Sequence, residues 1–346
     1  MPLVLECSPK LCQIQPPMAL APNPPGRPQT ASQVLDALAR RELLIVSGKG
    51  GVGRTAMSAM LGLELARRGR RVLVATVGQD DRLAWMLGHR ALADVPRELA
   101  PGLFIQRVVP HVCVREYGSM ILKSERLSSA VFGNKLMRRL LRAIPGLDDY
   151  AVLGKLWHVA CRARSFDTVI FDGPATGHLR YNLGVPRTIL NTVPRGPLTA
   201  EAQRMVDALE DPARVQAVLV GLPARWPLTE LGELAASLRE ELHMEIGAIF
   251  VNGMWPAEVP AISPAALPAS TSDAVRAFFS VTHTIAEQAH RQQANVDAWM
   301  AGERGAGRSP VALEIPWRWE GLSSLEDMQA LCAALPECVV RSGGVA

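Results

Sequence analysis

Glu42-Leu-Leu-Ile-Val-Ser-Gly-Lys-Gly-Gly-Val-Gly-Arg-Thr55 is the stretch around which the chain is organised. An apolar run from Leu43 to Val46 reads as a buried strand. It empties into a loop with glycines at 48, 50, 51 and 53, and a helical pattern opens at Ala56. Strand, glycine loop and helix N-terminus in that order build an anion site. Backbone N–H groups converge there, the helix dipole adds partial positive charge, and glycine lets the chain approach a phosphate closely. The phosphate-loop pattern G-x-x-x-x-G-K-[ST] uses its Lys on the β/γ-phosphates and its hydroxyl on Mg²⁺. Gly48, Lys49, Gly50, Gly51, Val52, Gly53 and Thr55 fit it, whereas Arg54 stands where Lys is expected.

The run on either side supports a parallel sheet. Ala56 to Arg68 has one broad apolar face and stops at Gly69, and Arg71 to Val77 is a second buried strand. A strand, a helix and a strand at this spacing form a βαβ unit. Phe166-Asp-Thr-Val-Ile-Phe-Asp-Gly-Pro-Ala-Thr-Gly-His178 is the second strong signal: a β-branched and aromatic run that delivers Asp172 at a strand end, where a carboxylate can hold a Mg²⁺ water shell. Further strands are predicted at 103–109, 214–222, 245–251 and 311–315. Helices are predicted at 32–41, 201–209, 228–242, 272–300 and 325–335. Residues 302–310 read as a flexible link, and the prolines between Trp255 and Ser270 mark an irregular loop. The fold class is α/β, doubly wound, with a mainly parallel sheet.

The second lysine position at Lys49 resembles the deviant Walker A loop, G-K-G-G-x-G-K-[ST], of the MinD/ArsA group of dimerising P-loop ATPases. Asp172-Gly-Pro-Ala-Thr-Gly-His178 resembles the switch that follows the Walker B strand in the ArsA/GET-type family. Val185-Pro-Arg, Thr192-Val-Pro and Gly196-Pro-Leu continue the likeness, which covers roughly 40–340. The resemblance implies an ATPase that binds ATP or ADP with Mg²⁺ through Gly48 to Ala56. Thr55 and Asp172 would lie toward the metal, with Lys49, Arg54 and Asp172 in the catalytic machinery. Asn252 matches an adenine-contacting Asn, the alternative being an Asn that turns the chain. Pro316 and Trp317 fall where relatives wrap the adenine. Lys49 would cross a dimer interface to the other subunit's phosphates; the alternative is a charge added to its own loop. The family's water-positioning Asp aligns with Gly78. Asp80 or Asp81 is then either a displaced substitute or part of a solvated acidic turn.

The same resemblance places a helical subdomain at roughly 112–160, with the text at Glu116-Tyr117, Leu127 to Phe132 and Pro145 to Gly154. His111, Cys113 and His158 lie in or near it and read as core rather than ligand. Residues 31–346 are expected to form one domain behind a proline-rich, disordered leader at 1–30. The leader lacks a signal peptide's basic start and apolar core.

Composition excludes several function classes. The 346 residues are 48% hydrophobic and 20% charged, enough for a sizeable core. The net charge of +4 is scattered and mostly arginine, without a basic block, which argues against nucleic acid. No apolar run approaches the ~18 residues of a membrane span. Six cysteines contain no CxxC pair, so free thiols in a cytoplasmic protein are expected. Expected partners are a second copy or an ArsA-like paralogue, together with a client or membrane-protein partner. With Arg54 and Gly78 both off the pattern, three readings stand open: a working ATPase, a nucleotide-binding but hydrolysis-poor subunit, and a scaffold without nucleotide.

Overall fold

The computed structural model describes residues 30–114, 116, 146–193, 195–259 and 262–342. The expected leader, and the readings at Tyr117 and Leu127 to Phe132, lie outside the described residues. A nine-stranded sheet runs β3-β4-β2-β5-β1-β6-β7-β8-β9. Its strands are β1 (Leu43–Gly48), β2 (Val72–Val77), β3 (Arg97–Ala100), β4 (Leu103–Val108), β5 (Thr168–Ala175), β6 (Val215–Gly221), β7 (Ile246–Met254), β8 (Val311–Pro316) and β9 (Val340–Ser342). All neighbours pair in parallel except β3 with β4 and β8 with β9, which are antiparallel edges.

β1 is central, lying parallel between β5 and β6. It is buried along its whole length because both faces of the sheet are covered. Its period of two sorts the side chains: Leu43 and Ile45 join one core cluster, Leu44 and Val46 the other. The second cluster is completed by α1 (Ala31–Ala39), α2 (Arg54–Arg67), α3 (Arg82–Met86) and α9 (Leu325–Ala334). The first is completed by α4 (Leu147–Trp157), α5 (Thr176–Thr192), α6 (Pro197–Leu209), α7 (Arg225–Leu242) and α8 (Asp273–Gly305). Helices on both faces of a parallel sheet make the doubly wound arrangement read from the sequence.

Several boundaries differ from expectation. Residues 302–305 are not a link: α8 runs through Gly305, anchored by buried Met300 and by Glu303, whose carboxylate accepts from Arg308 at 2.8 and 3.0 Å. α6 begins four residues earlier than predicted, at Pro197, where the Gly196 N–H donates to the Thr199 hydroxyl at 2.8 Å. The strand expected to end at Asp172 runs further. β5 continues through Gly173 and Pro174 to Ala175, and α5 starts at once with Thr176. The Ser47 hydroxyl fixes this junction by donating to the Pro174 carbonyl at 2.9 Å.

Candidate nucleotide site

The site lies where the central strands end. β1 leads into the glycine loop, and α2 begins directly at Arg54 after Gly53. Gly53 has φ of 93°, and a Cβ there would stand 2.4 Å from the Asn252 side-chain nitrogen. Only glycine meets both demands. Gly50 and Gly51 have open space beside them, so the tip of the loop is accessible.

Asp172 is the last but one buried residue of β5 and sits against the N-terminal end of α2. One carboxylate oxygen accepts from the Thr55 hydroxyl at 2.8 Å and from Thr76 at 3.3 Å, and the other accepts from Ser58 at 3.3 Å. Burial pushes the Asp172 carboxyl above the usual range; the Thr55 hydroxyl, the Arg54 charge, and the Ser58 and Thr76 hydroxyls oppose that push. Thr55 and Asp172 therefore meet as the sequence predicts, and they supply only hard oxygen ligands. That donor set suits Mg²⁺, which takes one or two protein oxygens and keeps several waters. Sequence reasoning missed Ser58 and Thr76. Ser58 had a signal, since it lies three residues after Thr55 on the same helical face.

The two loop cations already have protein partners. Arg54 donates to the Gly173 carbonyl at 2.5 Å, tying the loop to the segment after Asp172. Lys49 pairs with Glu230 of α7 at 2.6 Å. Asp80 and Asp81 are engaged elsewhere. Asp80 binds the Arg82 backbone N–H at 2.8 Å and its guanidinium; Asp81 accepts from Leu92 N–H at 2.9 Å and from Arg107 at 2.5 Å. These bonds support the acidic-turn reading rather than a displaced catalytic carboxylate. Gly78 has φ of 120°.

Asn252 does not turn the chain, because β7 continues to Met254. Its amide donates to the Val52 carbonyl at 2.9 Å and braces the back of the loop. Pro316 pairs with Met254 across β7 and β8, and the Trp317 N–H donates to the Met254 carbonyl at 2.7 Å. Trp317 belongs to a cluster with Trp255 and Trp319, their rings 5.5 to 6.2 Å apart. The Trp317-Arg-Trp319 spacing was its only trace in the sequence.

Cys113 and Cys161 are buried free thiols, pushed by burial to about 11 and about 12, and Cys332 is also free and buried. His158 sits in a π-turn (158–162) closing α4, its pKa lowered by burial and then by Arg162. No cluster of three or more metal-ligating side chains of the His, Cys, Asp or Glu type occurs among the described residues. No helix among them is long and apolar enough to cross a membrane.

A doubly wound sheet with a glycine loop and a carboxylate at adjacent strand ends defines a P-loop NTPase fold. The family model for anion-transporting ATPases matches residues 41–195. Over 250 residues the chain is 26% identical to the ATPase BagA of Mycobacterium tuberculosis, covering 68% of this chain and 72% of that protein. It is 30% identical over 247 residues to an arsenical pump-driving ATPase of Escherichia coli, covering 62% of this chain but only 39% of that protein. It is 28% identical over 149 residues to the ATPase get3 of Schizosaccharomyces japonicus, covering 42% and 44%. The chain is thus similar to ATPases of the ArsA/GET type, from which it is moderately divergent.

Proposed function

We propose that the chain binds Mg-ATP and Mg-ADP through Gly48 to Ala56 and hydrolyses ATP slowly. The observation that carries the binding is the 2.8 Å hydrogen bond between Thr55 and Asp172 at the mouth of the glycine loop. When bound, Mg²⁺ would supply positive charge against the phosphates. Thr55 and Asp172 would hold it, Lys49 and Arg54 would meet the phosphates, and Asn252 and Pro316 would flank the base. Titrating a fluorescent ATP analogue onto wild type and Thr55→Ala tests this. Saturable binding weakened by the substitution is expected; equal binding to both with Mg²⁺ present refutes the assignment.

Two observations favour the hydrolysis-poor reading over an efficient ATPase. Arg54 spends its planar fork on the Gly173 carbonyl, and a guanidinium does not place charge as a lysine ammonium does. Gly78 brings no carboxylate to the position aligned with the water-positioning Asp. The chain then acts as a nucleotide-binding subunit that pairs with itself or with a competent ArsA-like paralogue. Lys49, whose side chain is 54% exposed, would be lent across the interface in the manner of an arginine finger. Nucleotide-dependent rearrangement of that dimer would be coupled to a client or membrane-protein partner in the cytoplasm. The single domain with a helical insertion at roughly 112–160 belongs to this proposal. Without CxxC pairs or metalloid cysteines, arsenite and tail-anchored proteins are the less favoured clients. ATPase rates of the chain alone and mixed with a paralogue separate the readings. A wild-type rate that rises only in the mixture, and falls with Lys49→Ala there, supports the subunit role; a fast rate alone refutes it.

A further inference from the structure

Lys49 has a negatively charged partner within its own chain. Its ammonium lies 2.6 Å from a Glu230 carboxylate oxygen, and neither side chain is buried, at 54% and 37% exposed. The two partners differ in freedom. Glu230 sits in the second turn of α7, whose Leu228, Leu231, Leu234, Ala235 and Leu238 are buried in the core. The far end of α7 is gripped by α5: Arg187 donates to the Glu241 and Leu242 carbonyls at 2.7 and 3.4 Å, and Arg180 pairs with Glu241 at 2.6 Å. Lys49, by contrast, is the residue between Gly48 and the open Gly50-Gly51 tip. The helix carrying the carboxylate is therefore firmly anchored, whereas Lys49 sits on the more open element.

We infer that Glu230 is a built-in competitor of phosphate for Lys49, an autoinhibitory contact that must open before the loop lysine can serve a nucleotide. The inference rests on the phosphate-loop reading proposed above. A carboxylate and a phosphate are both anionic oxygen ligands, and an ammonium with three donors held at 2.6 Å by one cannot occupy the same position on the other. Because the pair is solvent-exposed, its hold is modest and screened by salt. That makes it a threshold rather than a block. Carrying the carboxylate on α7 also links the loop to α5, whose first residue follows β5 directly.

A double-substitution cycle tests the inference with the full chain, using Mg-ADP and inorganic tripolyphosphate as probes in calorimetric titrations. The variants are Glu230→Gln, Lys49→Met and the two combined, with Glu233→Gln as a control carboxylate on the same helix. Glu230→Gln is expected to tighten both probes by roughly two- to fivefold at low salt, the effect of one exposed ion pair, and less at high salt. In the Lys49→Met background that gain disappears, and Glu233→Gln leaves affinity within about 1.5-fold. An equal gain in both backgrounds shows that Glu230 acts only as a general negative charge and overturns the inference, as does no gain at all. If wild type binds Mg-ADP and Thr55→Ala does not, but the cycle shows no coupling, only the competitor role falls. If wild type binds neither probe, the phosphate-loop reading and this inference fall together.

Discussion

One substitution made at two glycines separates backbone strain from packing. A Cβ built at Gly78 meets nothing within 4 Å, and the same holds at Gly184 inside α5. Sterically, alanine fits equally well at both. The backbones differ: Gly78 sits at φ of 120°, where L side chains are rarely found, while Gly184 is helical. Alanine at 184 removes the entropy that glycine loses on helix formation and should stabilise by about 0.5–1 kcal/mol. Alanine at 78 gains similar chain stiffness in the unfolded state but must bear about 1–3 kcal/mol of strain, for a net loss of roughly 0.5–2 kcal/mol. The two variants should therefore differ by about 1–3 kcal/mol in opposite directions, a gap that urea unfolding followed by circular dichroism resolves. Equal effects at the two positions refute the reasoning, because they would mean that φ at Gly78 is not constrained. The consequence reaches the chemistry. Gly78→Asp does not simply restore a carboxylate; the turn after β2 must change first.

Other perturbations have comparably definite outcomes. Arg54→Lys frees the Gly173 carbonyl and should raise ATP turnover by more than Gly78→Asp does alone; a steady-state phosphate-release assay showing the reverse order contradicts the role given to Arg54. Arg68 is buried with Asp36 at 2.9 Å and Glu64 at 2.6 Å, so Arg68→Ala strips the buried Asp36 of its guanidinium, while Glu64 keeps Arg67 at 2.6 Å, and should cost about 3–5 kcal/mol in urea unfolding; a loss under 1 kcal/mol contradicts this. The Asp327 carboxylate caps α9 by accepting from the Ser323 and Ser324 N–H groups at 3.0 and 2.9 Å, and the Ser323 backbone bond leads in lowering its pKa. Its folded pKa lies below the unfolded one, so its contribution is present above the ordinary carboxylate range and is lost as pH falls through the lowered value. Asp327→Ala should accordingly cost about 1 kcal/mol near neutrality and progressively less below pH ~4; a cost that grows on acidification inverts the sign and refutes the assignment.

Legibility in the sequence followed burial and periodicity. β1, β2, β6 and β7 are apolar runs because both faces of a parallel sheet are covered, and each was visible as such. β3 and β9 were not: Arg97-Glu-Leu-Ala100 and Val340-Arg-Ser342 are short edge strands whose polar residues make no core pattern. The junction at Gly173-Pro-Ala-Thr-Gly177 carries loop composition yet forms strand and then helix, since Ser47 holds it from a distant part of the chain. Thr55 and Asp172 could be named as a pair from the two motifs that carry them and the family resemblance. Glu230 could not, because nothing local distinguishes it from Glu233 or Glu240; only the packing of α7 brings it to Lys49.

The hydroxyls around Asp172 bear on the proposal that the site binds nucleotide more readily than it hydrolyses it. Thr55 and Ser58 come from α2 and Thr76 from β2, so three donors on two elements converge on a carboxylate supplied by a third. Burial alone would favour the protonated acid, a poor metal ligand; each hydroxyl and the Arg54 charge favour the anion. On the proposed reading these groups keep Asp172 fit to hold Mg²⁺, Ser58 from a buried position and Arg54, Thr55 and Thr76 from half-buried ones. The positions proposed to act on the reacting phosphate are arranged differently. Arg54 is spent on a backbone carbonyl, Lys49 on a carboxylate, and Gly78 offers no side chain. Binding needs a cradle and a metal site, whereas hydrolysis also needs charge aimed at the transition state and a positioned water. The first set is built into the core of this fold, and the second depends on releasing contacts that the chain makes with itself.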